Sequence, residues 1–424
     1  MVSSGNFLEM YDFMIFGYYA SAIAQTFFPA GNEFNSLMLA LATFGAGFLM
    51  RPLGAIVLGA YMDRRGRRAG LLVTLALMAI GTLSIAFMPG YAAIGIIAPL
   101  LVLVGRLMQG LSAGAEVGGV SVYLSEIATP NRKGFYVSWQ SASQQAAVIF
   151  AAFVGLALTS YLTKVQIQTS GWRIPLVVGC LLLPFVFLLR RSLEETKAFT
   201  LRRKIPFSAV MASMVTHWRI VLLGTMIATM TTVSFYLITA YTPTFGSVVL
   251  HLDARDNLVV TLCVGITNFL LLPTMGALSD RVGRRPLLIT ASVLALLTGY
   301  PAMSWLVAEP SFQRLLLVEL WLACVYSAYN GAMVVYLTEI MPPEVRAAGF
   351  SLAYSAATAI FGGFTPAICT YLIHVTGNSA MPGLWLSLAA LIGLTATMML
   401  SPPQPGLLGN WELEVGHLQR RRKS

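Results

Sequence analysis

The chain has 424 residues, of which 57% are hydrophobic and only 10% are Asp, Glu, Lys or Arg, and its net charge is +10. A soluble globular domain carries about a quarter charged residues, so a chain of this length and composition cannot cover a water-exposed surface. The composition therefore excludes a soluble enzyme and indicates an integral membrane protein. The basic residues lie mainly in short loops between apolar runs, without a basic domain, so nucleic acid is not an expected partner.

Twelve runs long enough to cross a bilayer follow one another along the chain. A transmembrane helix needs about 20 mostly apolar residues. The first run lacks a preceding basic segment, so a cleavable signal peptide is not expected. The sequence predicts an all-α integral membrane protein with twelve transmembrane helices, at residues 6–28, 36–61, 69–88, 94–126, 134–161, 172–190, 218–247, 256–279, 286–306, 314–341, 346–373 and 381–401.

The connections between these spans differ in charge. Those after odd-numbered spans carry four basic residues, Lys164, Arg173, Arg255 and Arg314. The other loop Lys and Arg residues follow even-numbered spans or lie in the C-terminal tail. By the positive-inside rule, the even connections and both termini are expected in the cytoplasm of a bacterial cell, with the protein in its inner membrane.

The sixth connection is the longest and is rich in charge, which divides the chain into parts. We predict an N-terminal six-helix half (1–190), a cytoplasmic central linker (191–217), a C-terminal six-helix half (218–401) and a cytoplasmic basic tail (402–424). The four cysteines stand in separate apolar runs without a CxxC pair, and the four histidines lie without an HxxxH pair. These spacings favour neither disulfides nor a metal site, and no cofactor is expected.

Two charged segments occur once in each half. GAYMDRRGRR at residues 59–68 recurs as GALSDRVGRR at 276–285, and YLSEIATPNRKG at 123–134 recurs as YLTEIMPPEVRAAG at 336–349. Each pair falls at corresponding spans, the second and eighth and then the fourth and tenth. Parallel six-span repeats are a recurrent transporter architecture, with the binding site between the halves near the middle of the membrane.

These repeats carry a family resemblance over essentially the whole chain. DRRGRR and DRVGRR resemble the cytoplasmic signature of the major facilitator superfamily, and GRLMQG at 105–110 is similar to its fourth-span Arg-x-x-Gln-Gly motif. SGNFLEMYDF at 4–13 and FLMRPLGA at 48–55 look like the metabolite–proton symporter family, and within it the bacterial citrate/tricarballylate symporters. Members of this symporter family usually have a longer cytoplasmic segment before the first span, whereas Met1 nearly abuts the first span here.

The repeated turns combine residue types that suit a cytoplasmic gate. An Asp at a helix end can cap the following helix or pair with arginines across the gap, and a Gly permits a tight turn. The alternative is that the basic residues only fix the orientation of the chain in the membrane. That role alone requires neither the Asp nor the Gly. The predicted gate residues are Asp63, Arg64, Gly66, Arg67, Glu126, Asp280, Arg281, Gly283, Arg284 and Glu339.

Charged residues inside spans are costly and need a partner or a cavity. Asp12 lies one helical turn after Glu9, and Arg106 lies one turn before Gln109. In related proton-coupled transporters a first-span acid and this fourth-span Arg form a coupling pair, so the resemblance implies that role for Asp12 and Arg106, with Glu9 beside them. A static bridge between spans one and four is the alternative.

A third acid in the spans, Glu116, is a second candidate proton carrier. It lies in GLSAGAEVGG, where Gly110, Gly114 and Gly118 recur every fourth residue and form a close-packing face for a neighbouring helix. A hydrogen bond that packs two helices together is the alternative role for Glu116.

Candidate substrate contacts come from cations and polar side chains within spans. Arg51 and Arg106 can each offer a carboxylate two hydrogen bonds, although Arg51 can instead pair with a gate acid; Pro52 predicts a kink beside it. Fifth-span residues on one helical face suit either substrate contact or interhelical hydrogen bonds. The predicted substrate-binding residues are Arg51, Arg106, Gln140, Ser143, Gln144, Tyr236, Asn268, Tyr329 and Asn330.

Together these features predict a proton-coupled symporter that takes up a small polycarboxylate of the citrate or tricarballylate type by alternating access. The same fold could carry a dicarboxylate, shikimate or a zwitterionic osmolyte such as betaine or proline. The expected partners are a small anionic metabolite, protons and the lipid bilayer, and the expected functional unit is a monomer. No nucleotide-binding motif or catalytic constellation of His, Cys or paired acids is present, so an enzyme is not expected.

Overall fold

The computed structural model describes residues 4–65, 67–114, 117–129, 131–191, 216–341 and 346–400. The first half of the chain forms α1 (Ser4–Tyr18 and Ala20–Phe27), α2 (Glu33–Leu49 and Arg51–Arg65), α3 (Arg67–Phe87), α4 (Ile97–Ala113 and Val117–Ile127), α5 (Lys133–Tyr161) and α6 (Arg173–Arg191). The predicted linker and tail lie largely outside the described residues.

The second half repeats this order with more irregular helices. It forms α7 (Trp218–Phe235, π-helical Tyr236–Tyr241, Thr242–Thr244 and π-helical Phe245–Val249), α8 (Ala254–Val282), α9 (Arg284–Ala308), α10 (Phe312–Ile340), α11 (Arg346–Ala357, π-helical Thr358–Gly362 and Thr365–Thr376) and α12 (Met381–Met399). Each of the twelve predicted spans corresponds to one of these helices, which confirms the predicted fold class.

Within the described residues, nine helices are long and apolar enough to cross a membrane as they stand. A tenth is α6 taken with the short helical segment before it, from which it is bent by 49°. Of the two remaining helices, α1 is interrupted at Tyr19, and α4 is described as two pieces, Ile97–Ala113 and Val117–Ile127, with residues 115–116 outside the described part of the chain.

The break in α2 occurs where the sequence predicts it. The helix stops at Met50 and restarts at Arg51, and Pro52 has no amide hydrogen to continue the preceding turn. The interruption places Arg51 in the interior, where its side chain is 2% exposed.

Glycines bring the backbone of α4 against that of α2. A Cβ atom built on Gly110 would lie 1.6 Å from the Gly47 carbonyl oxygen, and one on Gly114 would lie 1.9 Å from the Arg51 carbonyl oxygen. No side chain fits at either position, so the predicted close-packing face is confirmed for these two glycines. The contact brings the helix of Arg106 against the helix of Arg51.

The two halves touch at both ends of the bundle. We call the end with the charged turns, residues 63–68 and 280–285, the motif end, and the opposite end the far end. At the motif end, a Cβ atom on Gly134 of α5 would lie 2.3 Å from the Gly276 carbonyl oxygen of α8. At the far end, Thr244 of α7 donates a hydrogen bond to the Gly17 carbonyl of α1, at 3.0 Å. The polar residues between these contacts are therefore enclosed.

Candidate functional site

Two arginines and two acids lie buried between α1, α2 and α4. Arg51 Nη2 is 2.7 Å from Glu9 Oε1, and both side chains are almost fully buried. Arg51 therefore pairs with a first-span acid, whereas the sequence left open a substrate or a gate acid as its partner. The break at Met50 and the first turns of α1 position this pair.

Phenylalanine rings surround both guanidinium groups. The Arg106 carbon Cζ lies 4.5 Å from the ring centres of Phe13 and Phe16. Arg51 Cζ lies 5.2 Å from Phe13 and 4.7 Å from Phe48, so the Phe13 ring contacts both cations. Cation–π contacts stabilise a guanidinium most where water is excluded, which keeps both charges inside the bundle.

Asp12 and Arg106 are connected through a third side chain. The Arg106 Nη1 atom donates to Gln109 Oε1 at 2.6 Å, and Gln109 Nε2 donates to Asp12 Oδ2 at 3.2 Å. Thr82 of α3 also donates to Asp12 Oδ2. The direct Asp12–Arg106 ion pair implied by the family resemblance is absent among the described ion pairs, because Gln109, one turn after Arg106, occupies the space between them.

Arg106 keeps one edge of its guanidinium without a partner. Its Nε and Nη2 atoms are buried and have no hydrogen-bond partner among the described residues. These two N–H groups point from the same side of the planar group, the arrangement that receives a carboxylate through two parallel bonds. An unpaired buried cation is costly, so this edge can bind an anion with little competition from the protein.

On the polar face predicted on α5, Gln144 is buried and Ser143 is half-buried. Gln144 Nε2 donates to Asn6 Oδ1 of α1 at 3.3 Å, so part of this face forms an interhelical hydrogen bond. Gln140 is also buried, and its Nε2 atom has no partner among the described residues. The Ser143 hydroxyl donates to the Gln140 carbonyl on its own helix. Gln140 is thus the residue of the three with a free buried donor.

The second half carries buried amides, and one of its aromatic rings lies beside the rings around Arg51. The Tyr236 ring of α7 lies 5.0 Å from Phe48 and so reaches the rings around Arg51. Asn330 is buried with neither amide atom bonded among the described residues, and Asn268 accepts from Ser327 and keeps a free Nδ2. The Tyr329 hydroxyl donates to the Ile227 carbonyl, which places it in the packing between α7 and α10.

At the motif end, Asp280 caps a helix of the other half. Its carboxylate accepts from the backbone N–H groups of Gly134 and Phe135, at 2.8 and 3.0 Å, in the first turn of α5. The sequence predicts either a cap on the following helix or a pair with nearby arginines, and the structure shows an arginine pair together with a cap on a helix of the other half. Arg284 contacts Asp280 at 2.7 Å and Glu339 at 3.3 Å.

Other predicted gate residues contribute differently or lie outside what the structure describes. Gly283 ends α8 with a φ of 92°, a conformation that favours glycine. Arg281 and Glu126 are exposed at helix ends. Gly66 and Glu116 lie outside the described residues, and so do the side chains of Asp63, Arg64 and Arg67.

The profile of the family described as "Sugar (and other) transporter" matches this chain over residues 1–209 and again over 204–401. The chain belongs to the sugar (and other) transporter family. The citrate-proton symporter of Salmonella typhi is 59% identical to it over 400 residues, which cover 94% of this chain and 92% of that protein. The citrate-proton symporter of Klebsiella pneumoniae is 60% identical, with 94% and 90% covered.

This transporter also resembles solved structures of the major facilitator superfamily. The partially occluded inward-open form of the xylose transporter XylE from E. coli superposes with a TM-score of 0.71 at 18% identity, covering 94% of this chain and 97% of that one. At this identity the likeness shows the major facilitator fold. The family membership identifies the protein as a membrane transporter rather than an enzyme.

Several site residues of this transporter escape sequence analysis. Thr82 stands in an ordinary apolar run and carries no signal, and the phenylalanines around the arginines read simply as membrane-facing residues. Glu319 is different, because an acid in the apolar stretch LLLVELWLACV meets the same rule that selects Asp12. The structure shows Glu319 buried on α10.

Proposed function

We propose that this protein takes up citrate, or a closely similar tricarboxylate such as tricarballylate, together with protons. The observation that carries the proposal is the free Nε and Nη2 edge of Arg106, buried beside the Arg51–Glu9 pair. A carboxylate of the substrate bonds to this edge, and its negative charge offsets the cation. The citrate-proton symporter relatives support the same class of cargo.

Coupling to protons follows from the charge balance around Arg106. When Asp12 is ionised, its charge offsets that of Arg106 through the Gln109 bridge. When Asp12 carries a proton, that compensation is lost and Arg106 attracts an anion more strongly. Proton binding and substrate binding therefore favour each other, which is the thermodynamic requirement for symport.

The enclosed site corresponds to an occluded step of alternating access. Opening toward one side requires loss of the Asp280 contacts to α5, and opening toward the other requires loss of the Thr244 contact to α1. We propose that residues 1–190 and 218–401 move as two bodies about the central site. One chain supplies both arginines and both sets of contacts, so the working unit is a monomer.

The charge of the loops supports an orientation for the protein in a bacterial inner membrane. The motif end is rich in arginine, and the far-end loops are poor in basic residues. The motif end and both termini therefore face the cytoplasm, with residues 191–217 as a cytoplasmic linker and 402–424 as a basic tail on the same side.

Uptake into proteoliposomes tests the cargo. Purified protein is reconstituted, and labelled citrate and tricarballylate are supplied under an inside-alkaline pH gradient, with vesicles lacking protein as the blank. We expect uphill accumulation of citrate that a protonophore abolishes. If neither tricarboxylate accumulates while a dicarboxylate, shikimate or betaine does, the cargo is the alternative and the proposal is wrong.

A further inference from the structure

Glu319 is a buried acid without a counter-charge in the part of the chain that the structure describes. Its side chain is 3% exposed on α10, its Oε1 atom lies 2.9 Å from the Thr242 hydroxyl of α7, and Oε2 has no partner among the described residues. Among the described residues, no Lys, Arg or His nitrogen lies within 4.0 Å of a Glu319 carboxylate oxygen, the limit for an ion pair. Burying an unpaired carboxylate costs several kcal/mol, so these surroundings accommodate the protonated group.

The charged side chains nearby in the sequence are engaged or distant. Arg314, five residues earlier on α10, pairs with Glu309 and lies over the Trp305 ring. One helix packed against α10 carries a charged residue at mid-helix, Arg106 on α4, which donates to Gln109 of the same helix. The other charged residues of these helices lie at or near helix ends, namely Glu126 on α4, Lys133 on α5, Arg219 on α7, Arg255, Asp256, Asp280 and Arg281 on α8, Arg284 and Arg285 on α9, and Arg346 on α11.

The remaining titratable groups on these helices are phenols, thiols and one imidazole, that of His374, which is exposed in the last turn of α11 and stacks on Phe34. The phenols and thiols are Tyr123 on α4, Tyr136 and Tyr161 on α5, Tyr236 and Tyr241 on α7, Cys263 on α8, Tyr300 on α9 and Tyr354, Cys369 and Tyr371 on α11, with Cys324, Tyr326, Tyr329 and Tyr336 on α10 itself. A proton is therefore the available neutralising partner for Glu319.

The Thr242 hydroxyl links the protonation of Glu319 to the backbone of α7. Its oxygen lies 3.2 Å from the Leu237 carbonyl oxygen, as well as 2.9 Å from Glu319. A hydroxyl has one hydrogen and can donate to one of these acceptors at a time. With Glu319 protonated, the carboxyl group donates to Thr242 and Thr242 donates to Leu237. With Glu319 ionised, Thr242 donates to the carboxylate and the carbonyl loses that bond.

This stretch of α7 closes the far end of the molecule. Thr244, two residues after Thr242, donates to the Gly17 carbonyl of α1. A Cβ atom on Gly17 would lie 3.0 Å from the Ala240 carbonyl oxygen, so the two helices also touch through their backbones. The π-helical turn Tyr236–Tyr241 lies just before this contact.

We propose that Glu319 is a second proton-carrying residue of the transport cycle, placed in the second half where it governs closure of the far end. Glu319 takes up a proton from the far-end side. With that proton on Oε1, the carboxyl group donates to Thr242, which completes the Thr242–Leu237 bond and favours contact between α7 and α1. The same O–H bond breaks when the site opens to water at the other side. This inference rests on the proposed proton-coupled uptake and adds one transported proton to it.

The test compares Glu319→Gln with wild type in proteoliposomes, with the membrane potential held at zero by potassium and valinomycin. Glutamine keeps the contact to Thr242 and cannot titrate. At a pH gradient of one unit, each coupled proton raises the accumulation of citrate about tenfold, so the variant is expected to accumulate about tenfold less. Protons entering per citrate, followed with a trapped pH dye, are expected to fall by about one. Citrate exchange at equal pH is expected to persist.

Glu309→Gln is the matched control, because it removes an exposed carboxylate in the connection just before the same helix and is expected to keep the wild-type proton ratio. Glu319→Asp restores an ionisable group and is expected to restore the ratio. An unchanged ratio in Glu319→Gln, loss of its exchange activity, or failure of Glu319→Asp to restore the ratio overturns the inference. Absence of citrate uptake by wild type would instead reject the proposed function.

Discussion

Replacing Asp280 by Asn tests the motif-end contact directly. The Asp280 carboxylate accepts two backbone hydrogen bonds from α5, and Arg132 at the start of that helix makes no side-chain cap of its own. Asp280 lies on α8, in the other half of the chain. Its bonds to α5 therefore exist only while the motif end is closed, and any energy lost there shifts the equilibrium between closed and open forms.

The size of the shift follows from the contacts that cross the halves. Hydrogen bonds to a charged group contribute about 1.5–3 kcal/mol each, and an anion at a helix N-terminus adds about 0.3–1 kcal/mol. Asn can still accept one of the two bonds, without the charge. The Arg284 contact lies within the second half and is present in both forms. We therefore expect a loss of about 2 kcal/mol, which moves the closed-to-open ratio about 30-fold toward open.

Spin-label distances measure this ratio. The pair Arg132→Cys and Val282→Cys places one label before α5 and one at the end of α8, at exposed positions, in a background with the four native cysteines replaced by serine. Asp280→Asn is expected to enrich the longer distance. Asp253→Asn is the control, since Asp253 is exposed before α8 at the far end and its side chain makes no cap. Distance distributions that coincide in parent and Asp280→Asn would refute the assignment.

Three further changes test the central site and its framework. Arg106→Lys loses the two-pronged edge and is expected to raise the citrate concentration for half-maximal exchange about 10–100-fold, with Arg314→Lys as control; a change below twofold would contradict carboxylate binding there. Asp12→Asn is expected to accumulate about tenfold less citrate at a pH gradient of one unit, the contribution of one coupled proton, and to keep exchange; accumulation equal to that of wild type would end the coupling role. Gly110→Ala is expected to cost about 1–3 kcal/mol or more of stability, because its Cβ would overlap the Gly47 carbonyl. Gly59→Ala is the control, because its added Cβ meets no atom within 4 Å. If Gly110→Ala melted at the same temperature as this control, α2 and α4 would be able to move apart without loss of stability.

The sequence predicts the helices well because each depends on local composition. Apolar runs locate all twelve spans, Pro52 locates the break in α2, and the spacing of Gly110 and Gly114 predicts a contact made by backbone alone. These features need no knowledge of which helix lies beside which. The same approach therefore predicts the existence of a buried charge and leaves its partner open.

Partners depend on tertiary packing, and here the predictions diverge from the structure. Spacing along the chain cannot reveal that Gln109 lies between Arg106 and Asp12, or that Arg51 meets Glu9. Asp280 illustrates the same limit, since the sequence offers it the following helix or nearby arginines, and only the fold brings the N-terminus of α5 to it. Glu319 was detectable from the sequence by its apolar surroundings, whereas its link to Thr242 depends on α7 and α10 packing together.

The distribution of polar groups between the halves explains why substrate itself should drive the conformational cycle. The first half contributes the cations, Arg51 and Arg106, and the second half contributes neutral amides with free donors, Asn268 and Asn330. Neither set alone satisfies a polyanion, because the cations hold one carboxylate while others still need hydrogen bonds. Under the proposed function, a tricarboxylate held at Arg106 gains those bonds when the second half closes over it. Under the same proposal, closure is favoured when both proton and substrate are bound, since a protonated Asp12 leaves Arg106 free to hold the anion.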